Sequence, residues 1–119
     1  AWTDFKGKDN TLKAITTIGD KADALIYCTN YIFKNGVAGY LMSAGEALTI
    51  KRNEVTINAY LNAINGDTLA TNMQNYLTST QYNTDFVWQI VLNQNVGESS
   101  CLGKIYKFNS ANIRVICPL

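Results

Sequence analysis

The chain has 119 residues, 47% of them hydrophobic and only 16% charged, with a formal net charge of +1, three cysteines and no histidine. That length suits one domain with one sizeable core, here residues 1–119, and the hydrophobic fraction excludes a disordered chain. No Lys/Arg run offers the footprint that phosphate neutralisation requires, which argues against nucleic-acid binding, and no stretch of about 18 apolar residues is present to span a membrane.

Asn and Thr take the place of the missing charge. From Val55 to Gly97 the only charged residues are Asp67 and Asp85. A surface solvated by amides and hydroxyls is common in secreted and cell-surface proteins. The absence of any Asn-x-Ser/Thr sequon favours a bacterial origin over a eukaryotic secretory one. The expected location is extracellular or periplasmic, with this chain a mature form from which a leader or anchor has been removed. The densest charge, Asp4 to Asp23, alternates in sign and reads as a solvated face.

Residues 9–33 carry the clearest helical period. Asp9 or Asn10 can cap the start, and Leu12, Ile15, Ile18, Ala22, Leu25 or Ile26, and Ile32 or Phe33 recur every three or four residues. Asn35-Gly36 supplies a stop, and Gly19-Asp20 a kink or restart. Cys28 borders the apolar stripe and reads as packed.

Val37 to Ile50 fits two descriptions. Gly39, Ser43 and Ala47, spaced by four, suit a smooth helix face, whereas the same stretch also suits two short strands joined at Ser43-Ala44-Gly45-Glu46. Glu54 to Ile64 reads as a short helix through Ile57, Leu61 and Ile64, with a strand as the alternative. Asn65-Gly66 is a turn. Asp67 then caps a predicted helix in which Leu69, Met73, Tyr76 and Leu77 share a face.

The last third reads as strands. Phe86 to Leu92 is a continuous apolar run. Lys104 to Phe108 and Ile113 to Cys117 are two shorter strands, with Asn109 to Asn112 as the hairpin loop between them. Three cysteines allow one disulfide and one spare thiol. Cys101–Cys117 is the expected pair, clamping the entering loop onto the last strand; closure of a loop of about 15 residues contributes about 3 kcal/mol. The alternative is three reduced, buried cysteines. The resulting fold class is α+β: a long N-terminal helix, a mixed middle segment, and a C-terminal antiparallel sheet closed by a disulfide.

Catalytic chemistry is sparse. Without histidine the commonest general base, nucleophile partner and metal ligand are missing. No C-x-x-C pair suggests a metal site, and no cofactor is expected. Asp20 and Asp23 are helix neighbours on a wet face. Gly97 to Lys104 approaches a phosphate-binding loop and a nucleophile elbow but satisfies neither spacing, and reads as a loop entering a strand. No enzyme activity is expected; a toxin domain using Lys or a carboxylate is the exception these residues leave open. Among the aromatic residues, Tyr27 and Tyr31 are four apart and line one helical face. Tyr suits interfaces, because it joins an apolar ring to a hydrogen-bonding tip. Trp2, Phe5, Tyr40, Tyr60, Tyr76, Tyr82 and Trp88 are read mostly as core.

The order of helix within 9–33, strand Phe86 to Leu92, and Cys101 with Cys117 near the end resembles the soluble domain of a bacterial type IV pilin or minor pilin. The resemblance implies an extracellular structural or interaction subunit that works by protein partnering or self-assembly. Its apolar helical stripe, with Ile15, Ile18, Leu25, Tyr27 and Tyr31, would be the interface. The alternative function is a periplasmic binding or immunity protein that inhibits a partner toxin or enzyme.

Overall fold

The computed structural model describes residues 3–18, 23–69, 75–92, 96–107 and 111–118. The helical period between residues 9 and 33 is carried by two short helices, α1 (Gly7–Ile18) and α2 (Asp23–Asn30). They pack against each other and against the strand β1 (Tyr40–Leu41). The expected long N-terminal helix is therefore corrected to a helical pair. Gly19-Asp20, where a kink was expected, lies outside the described residues. The break has a physical logic: one straight rod could present only one stripe, whereas two helices each bring apolar positions to β1. The Asn35-Gly36 stop belongs to a separate turn after α2, with Gly36 at φ +79° and the Asn35 side chain accepting the Val37 N–H.

The middle segment, left open between helix and strands, is one strand followed by two helices. After β1 the chain enters α3 (Ala44–Arg52) and then α4 (Glu54–Ala63). Ser43-Ala44-Gly45-Glu46 is a capping box and not a strand junction. The Ser43 hydroxyl accepts the Glu46 N–H at 3.4 Å, and the Glu46 carboxylate accepts the Ser43 N–H at 2.8 Å. Lys51 and Glu54 form a buried ion pair at 2.9 Å where α3 meets α4.

The helix expected from Asp67 through Leu77 is also corrected. Residues 70–74 lie outside the described set, and Tyr76 and Leu77 belong to strand β2 (Asn75–Gln81). Its inward positions are Tyr76, Thr78 and Thr80, all buried. Two of the three are threonines, so no apolar alternation announces the strand. Thr suits a strand through its branched Cβ, and its hydroxyl finds bonds: Thr78 donates to the Trp88 carbonyl at 2.7 Å where the register is irregular.

Strand β3 (Phe86–Val91) forms close to the predicted run and lies between β2 and β4 (Leu102–Tyr106), antiparallel to both. A single helical turn, α5 (Glu98–Cys101), leads into β4. The last strand, β5 (Val115–Ile116), leaves this sheet and pairs antiparallel with β1. The hairpin expected between 104–108 and 113–117 does not form. The architecture is α+β, with two small antiparallel sheets. Its core gathers Met42, Ala47, Leu48, Leu69, Tyr76, Ile90, Leu92 and Cys101, with α3 lying on β2 and β3.

The expected Cys101–Cys117 disulfide is overturned. None of Cys28, Cys101 and Cys117 is in a disulfide. Cys101, the last residue of α5, is buried in the core, whereas Cys117 follows β5, which pairs in the other sheet, and lies beside the Asn35 side chain. Cys28 is buried, and burial pushes its thiol up to about 11, which suppresses the reactive thiolate.

One polar junction ties the N-terminal segment to both sheets. The Asp4 carbonyl accepts the Ser43 hydroxyl at 2.6 Å and the Gly45 N–H at 2.9 Å. The Asp4 carboxylate accepts the Thr80 hydroxyl at 2.7 Å, the Asn10 amide at 2.8 Å and the Lys6 N–H at 3.0 Å. The Thr80 oxygen in turn accepts the Ala44 N–H at 2.8 Å. Nearby, the buried Thr11 hydroxyl accepts the Leu41 N–H at 3.1 Å and donates to the Gly7 carbonyl at 2.7 Å, docking α1 on β1. Gly7 permits that approach, since a Cβ there would run into the Glu46 carboxylate and stand 2.7 Å from the Tyr40 ring.

Two outcomes follow from this fold. Unreduced protein titrated with a chromogenic disulfide should yield three thiols after denaturation, and in the native state only Cys117 should react quickly. Recovery of one thiol would restore the disulfide. For Asp4, burial raises the carboxyl's pKa, but bonds from Thr80, Lys6 and Asn10 and the Lys6 charge outweigh it and leave it below the ordinary 3.8. Its contribution is present above that ordinary value and is lost as pH falls through the lowered one. Asp4→Asn should cost about 1–3 kcal/mol at neutral pH. The gap to the native chain, measured by urea unfolding, should narrow as pH falls below the ordinary carboxylate range. A gap that stays constant down to pH 2 would contradict the role given to the carboxylate.

Candidate interaction surface

Among the described residues no three His, Cys, Asp or Glu side chains converge to hold a metal ion, and no helix is long and apolar enough to cross a membrane. Of the carboxylates, Asp4 is committed to the junction above. Glu46 accepts the Tyr40 hydroxyl at 3.3 Å, and burial together with that carboxylate pushes the phenol up to about 12. Both arrangements are structural.

The interface residues predicted from the helical stripe are partly dispersed. Tyr27 and Tyr31 do stand together at the end of α2, 57% and 47% exposed, with Tyr31 set edge-on to Phe33 at 5.0 Å. Ile15 and Leu25 are half-buried, on the two helices that pack on each other. The Ile18 side chain lies outside the described residues. Packing takes up only part of the stripe: Leu12 and Ile32 on it stay 50% and 59% exposed, and the two tyrosines are largely exposed as well.

A denser aromatic surface forms where β2 turns into β3. The β2–β3 connection is a tight turn whose Asn83 side chain accepts the N–H groups of Asp85 at 2.9 Å and Phe86 at 3.0 Å. The turn returns the chain so that Tyr82 flanks Phe86 and Trp88. Across the sheet, Phe86 stands opposite Tyr106 and Trp88 opposite Lys104. Alternation along a strand places these four residues on one face, the same face on which Ile90 stands opposite Tyr76. Ile90 and Tyr76 belong to the core with Ala47 and Leu48 of α3. Tyr82 and Tyr106, at the turn end, stay 45% and 41% exposed.

The rings there meet edge to face. Tyr82 lies 5.0 Å from Trp88 and 6.4 Å from Phe86, and Phe86 lies 5.6 Å from Tyr106. Such contacts contribute roughly 0.5–1.5 kcal/mol per pair beyond burial. The Lys104 ammonium rests over two of the rings, 4.7 Å from Phe86 and 5.4 Å from Tyr82. Among the described residues no carboxylate pairs with it. The result is an apolar, aromatic patch with one cation held at its centre.

Sequence reasoning missed this patch. Phe86 and Trp88 read as buried because the run to Leu92 is apolar but for Gln89. Lys104 meets Trp88 only if β4 pairs with β3, whereas a local hairpin with the last strand was expected. The available signal was the recurrence of aromatic residues at 82, 86, 88 and 106 around the polar turn Asn83-Thr84-Asp85. No protein-family model, no curated protein and no solved structure matches this chain, so the surface is interpreted from its geometry and chemistry alone.

Proposed function

We propose that this protein is an interaction subunit that acts by protein–protein contact, with the aromatic end of the three-stranded sheet as its contact surface. The observation that carries this is the cluster of Tyr82, Phe86, Trp88 and Tyr106 around an ammonium that meets no carboxylate among the described residues, on a sheet face whose other half is core. Aromatic residues dominate the energetics of protein interfaces, because they bury large area at low entropic cost and carry polar tips. Lys104 adds a charge that a partner's acidic group can meet.

The low charge and amide-rich composition support an extracellular or periplasmic setting for this contact. The long helix and the Cys101–Cys117 bridge that carried the pilin resemblance do not form, and the proposal draws on neither. Tyr27 and Tyr31 offer a second, smaller surface of the same chemistry.

The test is site-specific photo-crosslinking in cells of the native host. A crosslinking amino acid at position 82 or 106 should give the same discrete protein adduct, and one at the exposed Thr49 on α3 should not. Absence of a discrete adduct from both aromatic positions, or equal adducts from position 49, would overturn the proposal.

A further inference from the structure

We infer that Asn65 is a modification site: its side-chain amide is lost by intramolecular attack of the Gly66 nitrogen, leaving a carboxylate just past the end of α4.

The chain contains two Asn-Gly pairs, Asn35-Gly36 and Asn65-Gly66. In such a pair the glycine has no side chain to hinder approach, and its permissive backbone lets its nitrogen reach the Asn Cγ. The reaction consumes only water. The Gly66 nitrogen bonds to the Asn65 Cγ, and the side-chain nitrogen leaves as ammonia, taking the proton of the Gly66 N–H. Water then opens the five-membered imide. Breaking the imide bond to Cγ gives aspartate. Breaking the bond to the backbone carbonyl gives isoaspartate, in which the main chain runs through the side-chain carbon.

Both asparagines are exposed, and both glycine N–H groups are bonded within the chain, Gly36 to the Phe33 carbonyl and Gly66 to the Leu61 carbonyl, each at 2.8 Å. The difference lies in what else must break. Asn35 sits in a closed turn, where Phe33 donates to the Val37 carbonyl at 3.0 Å, Gly39 donates to the Tyr31 carbonyl at 2.9 Å, and Ile32 pairs with Ala38. Its side chain is itself held: the oxygen accepts the Val37 N–H at 3.2 Å, and the amide donates to Cys117 Sγ at 3.8 Å.

Asn65 lies just beyond α4 and its cap Ile64, and among the described residues its side chain has no hydrogen-bond partner. Its φ of +56° is in the left-handed region that disfavours L residues, so release of the Gly66 N–H lets Asn65 relax. Helix ends open at small free-energy cost. The freed nitrogen then stands next to an amide that nothing holds.

The consequence is local. The Asn58 side chain grips both backbone groups of Leu69, at 2.7 and 3.4 Å, and Arg114 donates to the Asp67 carbonyl at 2.8 Å. Leu69 belongs to the core. These anchors hold the chain in place when the link at 65 lengthens. From Val55 to Gly97 the only carboxylates are Asp67 and Asp85, so the product adds a third and takes the formal net charge from +1 to zero. The new charge stands at the negative pole of α4, beside the exposed Ile64. The modification is a one-way mark that accumulates on the folded protein with age.

The experiment ages the intact chain and a Gly66→Ala variant side by side in warm, mildly alkaline buffer, followed by isoelectric focusing and peptide mass mapping. The variant keeps the fold, because a Cβ at Gly66 would stand 3.3 Å from the flexible tip of Leu61 and the residue is not at positive φ. The native chain should accumulate an acidic form with aspartate and isoaspartate at 65, about tenfold faster than at 35, where more bonds must break first. Gly66→Ala should slow the reaction at 65 about tenfold and leave 35 unchanged. In concentrated urea the two sites of the native chain should react at similar rates. No product at 65, equal rates at 35 and 65 in the folded chain, a preference for 65 that survives denaturation, or undiminished reaction in Gly66→Ala would each overturn the inference.

Discussion

The hydroxyl of Ser43 is the point on which the rest of the structure depends. It is fully buried, accepts the Glu46 N–H to start α3, and donates to the Asp4 carbonyl to hold the N-terminal segment. Thr80 makes the same kind of double contact one residue further on, joining the Asp4 carboxylate to the Ala44 N–H. Between them these two hydroxyls fix where α3 begins on the sheet. A helix of 9 residues is about 13 Å long, whereas a strand of 6 residues spans about 20 Å. With its start pinned beside Thr80, α3 packs on Tyr76 and Ile90, while the Phe86–Tyr106 end keeps exposed tyrosines. The exposed aromatic end is thus a consequence of helix length and of a polar anchor.

That anchor suits a chain with few charges. Buried hydrogen bonds contribute modestly to net stability but are costly to break one-sidedly, because the remaining group loses its water without gaining a partner. Satisfied hydroxyl networks therefore specify one arrangement of segments where apolar packing would tolerate several. The same logic marks a contrast within the sheet. The inward threonines of β2, Thr78 and Thr80, have protein partners. Lys104, among the described residues, meets aromatic rings and no carboxylate, an attraction of about 0.5–1 kcal/mol at an exposed site. A charge met so weakly within its own chain can gain more from a partner's carboxylate.

What the sequence made legible followed local pattern. Phe86 to Leu92 announced β3 because every inward and outward position there needed an apolar or amphipathic side chain. The helices α1 and α2 were legible by period, though their division was visible only as a Gly-Asp pair that could equally kink one rod. The start of α3 was written in Ser43 and Glu46, three residues apart, but the flanking apolar residues also fitted strands. Strand β2 was hidden because Thr78 and Thr80 occupy core-facing positions where a hydrophobic pattern expects Leu or Val. The pairing of β5 with β1 rather than β4 joins residues about 75 apart in sequence, a distance over which no local signal operates. The disulfide inference failed with that pairing, since it assumed that neighbours in sequence were neighbours in the sheet. The candidate surface was illegible for the same reason: its members come from three strands and meet only in the correct register.

The central claim is that the aromatic end of the sheet is a surface for contact and not a second core. Urea unfolding of the double variant Tyr82→Ser with Tyr106→Ser tests it most directly. The two partly exposed rings, which give up their edge-to-face contacts and part of their burial, should together contribute no more than about 4 kcal/mol to stability, leaving a cooperative transition of unchanged slope. A loss above about 4 kcal/mol, or a change in slope, would show that the four rings hold the sheet together and would contradict the account.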